Sequence, residues 1–175
     1  MPKKDDLRVG YSTFAGARDL VGKLTAVLKR VQPVLLVAET AGEIEAALLR
    51  LTRGQRAVWA VEQLQVEMGN GGFEQYFCNP SGDTAEEALA GLRLIDAPKF
   101  AWPLERAMQL FPGGRVPRDR GGRELLLDQA GFAGRLTDSG ADRDWKAAYS
   151  VEEELSKLAL AYVERNPLEF FLDKP

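Results

Sequence analysis

Apolar residues recur along this chain at helical spacing. Leu20, Leu24, Val27, Leu28 and Val31 fall at offsets 0, 4, 7, 8 and 11, which places them on one helix face. Pro33 has no amide hydrogen and clashes with the preceding turn, so it ends or kinks that helix. Val34 to Val37 fits a continued helix better than a short strand, and Ile44, Ala47, Leu48 and Leu51 form a second stripe. Thr52 and Gln55 have the spacing of a capping box, which predicts a helix to about Met68 with Ala57, Val61, Leu64 and Met68 inward. Asp83 with Glu86 reads as the next cap, ahead of Ala85, Ala88, Leu89, Leu92 and Ile95. Pro98 opens a helix carrying Phe100, Leu104, Met108 and Phe111; Pro103 kinks it or marks its first turn, and Pro112-Gly113-Gly114 stops it. Residues 115–123, rich in Arg, Gly and Pro, read as an exposed connection, and residues 134–144 as a polar loop. Ser150 and Glu153 have capping spacing before Leu155, Leu158, Ala159, Tyr162 and Val163, and Asn166-Pro167 ends that last helix. No segment alternates like a strand and no repeat is present. The expectation is a single compact all-α domain of roughly six to eight helices, which need one another to bury their stripes. Residues 1–40 are expected as a helical extension on or beside the core formed by residues 41–175.

Composition narrows the chemistry. The 175 residues amount to one domain, and 45% hydrophobic with 28% charged residues is a globular balance. There is no histidine, which removes histidine triads, ligands and general bases. One cysteine allows no internal disulfide and no thiolate zinc cage. The net charge of −3 conceals alternating blocks: +4 over residues 1–38, −6 over 39–96, +3 over 97–135 and −4 over 136–175. No one-sided basic excess speaks for direct nucleic-acid binding. The charged opening Met1 to Asp6 has no following apolar run, and Val34 to Ala38 is far too short to span a bilayer. A cytoplasmic location without membrane attachment is expected.

One segment stands apart. Glu67 to Asp83 packs glycines, aromatics, amides and carboxylates between two helices. Three readings compete. In a catalytic or metal-binding reading, Glu67, Asn70, Glu74 and Asp83 supply oxygens and Cys78 a thiol; no histidine or nearby lysine activates that thiol, and the spacing is not that of an EF-hand. In a phosphate-binding reading, the glycines cradle an anion, yet the run lacks the P-loop pattern and follows a helix rather than a strand. In the structural reading, Gly69, Gly71 and Gly72 make a sharp helix–helix turn. Phe73, Tyr76 and Phe77 then plug the core, Asn79 and Asp83 satisfy amides at the next helix start, and Cys78 is a small buried hydrophobe. The structural reading is the strongest and requires no cofactor.

The string Asn70-Gly71-Gly72-Phe73-Glu74-Gln75-Tyr76-Phe77, followed by Asn79 and Ser81-Gly82-Asp83, closely resembles the signature of a bacterial family named after a DNA mimic protein. So do Leu51 to Arg56, Ile95-Asp96-Ala97-Pro98, Phe111 to Gly114 with Val116 to Arg120, and Tyr162-Val163 with Asn166-Pro167 and Phe170. The resemblance covers residues 40–172; Cys78 and Pro80 stand where a Phe and a Ser are commoner. It implies an all-helical, usually dimeric protein without catalytic residues. For the member that gives the family its name, it implies an acidic surface that imitates duplex DNA and occupies a transcription regulator.

A mimic must present carboxylates on one face, because duplex DNA carries about one charge per 1.7 Å of axis. The candidates are Glu39, Glu43, Glu45, Glu62, Glu86, Glu87, Glu152 and Glu153, interrupted by Arg50, Arg53, Arg56 and Arg93. The expected function is a non-enzymatic interaction module for a protein partner such as a DNA-binding regulator. The alternative is a small enzyme or metal-binding protein using Glu67, Glu74 and Asp83. Dimerisation is expected from the resemblance and from Trp102, Phe170 and Phe171 read as exposed aromatics.

Overall fold

The computed structural model describes residues 7–149 and 155–173. Among them lie twelve α-helices and three 3₁₀ turns, with one isolated parallel bridge between Val9 and Phe171. The fold is all-α, as the periodicity requires, but the helices are shorter and more numerous than expected.

The long axis is α5 (Arg53–Asn70), started by the predicted capping box of Thr52 and Gln55. Gln55 Nα donates to Thr52 Oγ1 and Thr52 Nα donates to Gln55 Oε1. Val58, Ala60, Val61 and Leu64 on this helix are fully or almost fully buried. Against it lies α7 (Ala85–Leu94), at a separation set by Gly91. A Cβ on Gly91 would stand 2.8 Å from the Ala57 carbonyl, so only glycine lets the two backbones approach this closely.

Between them the chain turns through α6 (Gly72–Cys78) and a 3₁₀ turn, Pro80–Thr84. Then follow α8 (Pro98–Met108), α9 (Arg120–Leu127), α10 (Phe132–Ser139) and α11 (Ala141–Tyr149). Pro98 occupies the first turn of α8, and Pro103 is buried within it. A relay of aromatic rings ties these helices to α6. Phe73 meets Trp145 at 5.7 Å and Trp145 meets Phe100 at 5.0 Å; Phe77 meets Phe111 at 4.9 Å and Phe111 meets Phe132 at 5.1 Å, all edge-on. Each such ring, fully buried, contributes about 1.5–3 kcal/mol.

The remaining helices close the other end. They are α1 (Tyr11–Ala15), α2 (Leu20–Leu28), α3 (Gln32–Leu36) and α4 (Ala41–Arg50), with α12 (Leu155–Arg165) lying against α2 and α5. Val9 Nα donates to the Phe170 carbonyl and Leu172 Nα to the Val9 carbonyl, each at 2.9 Å, joining the start of the described chain to its end. Val34, Leu35 and Leu36 are helical, in α3, which Pro33 starts rather than breaks.

Four further expectations need correction. Residues 134–144 form no loop but parts of α10 and α11, because Phe132, Leu136, Ala141, Trp145 and Ala148 supply a sparse buried face under a polar exterior. Residues 115–123 are not simply exposed: Arg123 is completely buried. Asp83 does not cap α7, whose N-cap is Thr84 without a side-chain bond. Phe170 and Phe171 are buried, because Phe170 packs on Gly54 and Phe171 on Tyr11 and Phe14; Trp102 alone of the three named aromatics is exposed. The cap expected from Ser150 and Glu153 lies outside the described residues.

Candidate functional site

The segment from Glu67 to Asp83 is an elbow. At its bend Gly72 adopts φ +77°, a left-handed value that glycine tolerates. Asp142 of α11 reaches in beside it, and its Oδ1 accepts from the Phe73 amide at 2.9 Å. Phe73, Tyr76 and Phe77 show no exposed surface.

The polar residues of the elbow are consumed by one another. Glu67 accepts from Gln75 Nε2 at 2.7 Å, from Asn79 Nδ2 at 2.8 Å and from Ser81 Oγ at 2.8 Å. Burial pushes its carboxyl upward, but the three hydrogen bonds together outweigh burial and hold it below the usual glutamate range. One carboxylate thereby fixes the last turns of α5, α6 and the 3₁₀ turn.

On the other side stands Arg123 of α9. Its Nε donates to the Phe77 carbonyl at 2.7 Å, Nη1 to the Pro117 and Arg118 carbonyls at 2.8 Å each, and Nη2 to the Asn79 carbonyl at 3.0 Å. Its Nη2 is also 2.5 Å from Asp83 Oδ1, an ion pair in which no aligned hydrogen bond reaches that oxygen. Gly82 is the close neighbour that makes room, since a Cβ there would lie 2.8 Å from the Tyr76 carbonyl and 3.0 Å from Arg123 Nε. Burial raises the Asp83 carboxyl above its ordinary range, against the opposing pull of Arg123. The Tyr76 hydroxyl is buried without a hydrogen-bond partner among the described residues, and burial pushes its titration well upward. Cys78 is half-buried; burial first, and then the charges of Glu74 and Glu124, raise its thiol against the pull of Arg120. That thiol is a poor nucleophile at neutral pH.

Sequence reasoning missed Arg123 and Asp142. Arg123 had a usable signal. It lies three and four residues before Leu126 and Leu127, both half-buried, so helical periodicity places it on the inner face of α9. Asp142 had none, since its role depends on α11 arriving beside Gly72.

Glu67, Glu74 and Asp83 do not converge. Glu67 faces Gln75, Asn79 and Ser81, Asp83 faces Arg123, and Glu74 is exposed. Among the described residues no group of three or more His, Cys, Asp or Glu side chains is arranged to hold a metal ion.

The acidic candidates have unequal fates. Glu39, Glu43, Glu45 and Glu86 are exposed. Glu43 completes a capping box with Thr40 at the start of α4; bonds from the Glu39 and Thr40 amides and the Thr40 hydroxyl keep its carboxyl below the usual range and therefore ionised. Glu87 is held by Arg118 through two hydrogen bonds of 2.6 and 2.9 Å, and Glu45 and Glu86 act on the same guanidinium. Glu62 lies between α5 and α12, where burial raises its carboxyl and Ser156 Oγ approaches at 3.4 Å. Glu152 and Glu153 lie outside the described residues.

Fold and elbow together define an all-α protein whose most constrained polar residues are spent on its own architecture, with carboxylates left over at the starts of α4 and α7. The chain belongs to the DMP19-like protein family, which matches it over residues 49–166. No curated protein and no solved structure matches it. The matched span begins just before the capping box of α5 and takes in the entire elbow together with Arg123 and Asp142. No described helix is long and apolar enough to cross a membrane.

Proposed function

We propose that this protein is a non-enzymatic DNA mimic that occupies the DNA-binding surface of a regulator through the carboxylates at the starts of α4 and α7. The observation that carries this reading is the family match together with the exposure of Glu39, Glu43, Glu45 and Glu86. Glu43 is additionally kept ionised. The elbow is the device that sets α5 and α7 side by side, and it does no chemistry of its own. Arg118 partly offsets the acidic rim by neutralising Glu87, so mimicry rests on the four exposed glutamates rather than on the whole acidic block. A cytoplasmic location fits this role. A homodimer would present the rim twice, as duplex DNA presents two half-sites.

The test is capture of a DNA-binding protein from host lysate on the immobilised chain, followed by elution with duplex DNA and with salt. The expected result is displacement by both, because the contacts are electrostatic. A triple variant Glu39→Gln, Glu45→Gln, Glu86→Gln should lose capture while its melting curve is unchanged. A partner that remains bound under excess DNA would overturn the reading.

A further inference from the structure

Behind the acidic rim lies a cleft of about 410 Å³ between α3, the start of α4, α5 and the 3₁₀ turn of the elbow. That volume lies within the ordinary range of ligand sites, roughly 300–1,000 Å³. One wall is apolar: Leu35, Leu36, Ile44 and Trp59. The other carries Gln63, Ser81, Asp83 and Thr84, with Glu39 and Arg120 also lining it. The Asp83 side chain keeps 11% of its surface open while its Oδ1 is turned to Arg123. The Thr84 hydroxyl donates to the Ser81 carbonyl at 3.1 Å and the Ser81 hydroxyl donates to Glu67, which leaves both oxygens as acceptors.

The charge around this cleft favours a cation. Glu39 and Asp83 supply the carboxylates that line it, and Arg120 is the cation among its lining residues. The cations present are already engaged. Arg118 holds Glu87, Arg120 holds Glu124 at 2.8 Å, and Arg123 is buried against Asp83 and four carbonyls. The Ser81 and Thr84 acceptors are single hydroxyl oxygens, and Asp83 has its Oδ1 turned to Arg123. They suit the three rotatable donors of an ammonium better than the flat fork of a guanidinium. The apolar wall suits an alkyl stem.

We propose that the cleft receives a lysine side chain of the protein partner, its stem against Leu35, Leu36, Ile44 and Trp59 and its ammonium at Asp83. This rests on the interaction reading above and refines it: a DNA mimic with such a cleft would recognise one particular lysine rather than a diffuse basic surface.

The probe is n-butylammonium, which reproduces the lysine side chain, compared by NMR titration with n-butanol as its neutral isostere. Butylammonium should shift the Trp59 indole and the Ser81 and Thr84 amides saturably, leave the Trp145 indole unmoved, and bind about tenfold more tightly than butanol, the margin of one charge-assisted hydrogen bond. Asp83→Asn should abolish that preference. Because Asp83 also faces Arg123, its melting curve is checked, and Glu39→Gln, an exposed site, serves as the second variant with an expected loss of about twofold to threefold. Equal binding of butanol and butylammonium, or shifts that never saturate, would overturn the proposal. In the second arm, saturating butylammonium should weaken capture of the regulator relative to sodium chloride of equal ionic strength. Capture that continues unchanged would remove the lysine, while displacement by DNA would still stand as support for mimicry. Loss of DNA displacement with butylammonium binding intact would instead remove the mimic reading alone.

Discussion

The elbow and the rim of α4 and α7 are built from the same residue type and use it in opposite ways. Glu67 and Asp83 turn inward, where they meet three neutral donors and one guanidinium respectively. Glu39, Glu45 and Glu86 turn outward. Counting acids along the chain cannot separate these populations, because both lie in the block that carries −6. What separates them is whether donors from another element arrive. At the elbow α6, the 3₁₀ turn and α9 supply them; at the rim Arg118 arrives, and Glu87 takes it. The elbow should therefore be sensitive to mutation in stability and the rim in binding.

The largest effect should follow from Arg123→Leu. It leaves Asp83 and four carbonyls without their cation in a buried site, which costs about 3–5 kcal/mol. Urea unfolding should show the midpoint falling sharply or no folded baseline at all. Arg123→Lys should recover only part of the loss, since one ammonium cannot reach all four carbonyls. A midpoint within error of the parent would mean that the elbow is held by its aromatic rings alone.

Next comes Glu67→Gln, with an expected loss of about 1.5–3 kcal/mol at neutral pH, because the carboxamide turns a donor toward groups that already donate. The sign of its pH dependence is fixed. The folded carboxyl titrates below its ordinary value, so its stabilisation is complete above the unfolded glutamate range, near pH 4.3, and is lost as pH falls through the lower folded value. Parent and variant should differ most near neutrality and converge in acid. Curves that stay parallel down to strongly acidic pH would show that the ionised carboxylate is not the stabilising form.

These two residues also mark what the sequence makes legible. Thr52 with Gln55 announced α5 because a capping box is a local pattern, complete within four residues. Phe73, Tyr76 and Phe77 announced the core plug because aromatics at helical spacing beside glycines have few other uses. Asp83 with Glu86 has cap-like spacing as well, yet Asp83 faces Arg123 from a distant helix, and no local pattern shows that. The segment 134–144 read as a loop because most of its residues are polar, although a few buried positions suffice to dock α10 and α11. Phe170 and Phe171 read as exposed for the related reason that their burial depends on Gly54, Tyr11 and Phe14, far away in sequence. Local periodicity thus gave helix faces, and long-range pairing decided which acids remained free.

A smaller effect of opposite sign is expected inside the elbow. Tyr76→Phe deletes a buried hydroxyl that has no partner among the described residues, at almost no change in volume. Such a deletion is neutral or stabilises by up to about 1 kcal/mol. Thermal unfolding that shows a clear loss would reveal that the hydroxyl is bonded after all, and the elbow would then contain one more inward polar contact than its geometry displays.

The smallest effect on stability should come from the rim, and there the comparison is sharpest. Glu45→Gln with Glu86→Gln removes two exposed charges, so unfolding should move by no more than about 0.5 kcal/mol. The same pair should shift the salt dependence of regulator capture, because each carboxylate presented in place of a phosphate contributes to the electrostatic slope. Glu43 is left intact in this variant, since its carboxylate both faces solvent and closes the capping box of α4, and its removal would mix the two effects. A stability loss comparable to that of Glu67→Gln would erase the distinction between inward and outward acids. An unchanged salt slope with the fold preserved would move the interaction surface away from α4 and α7 altogether.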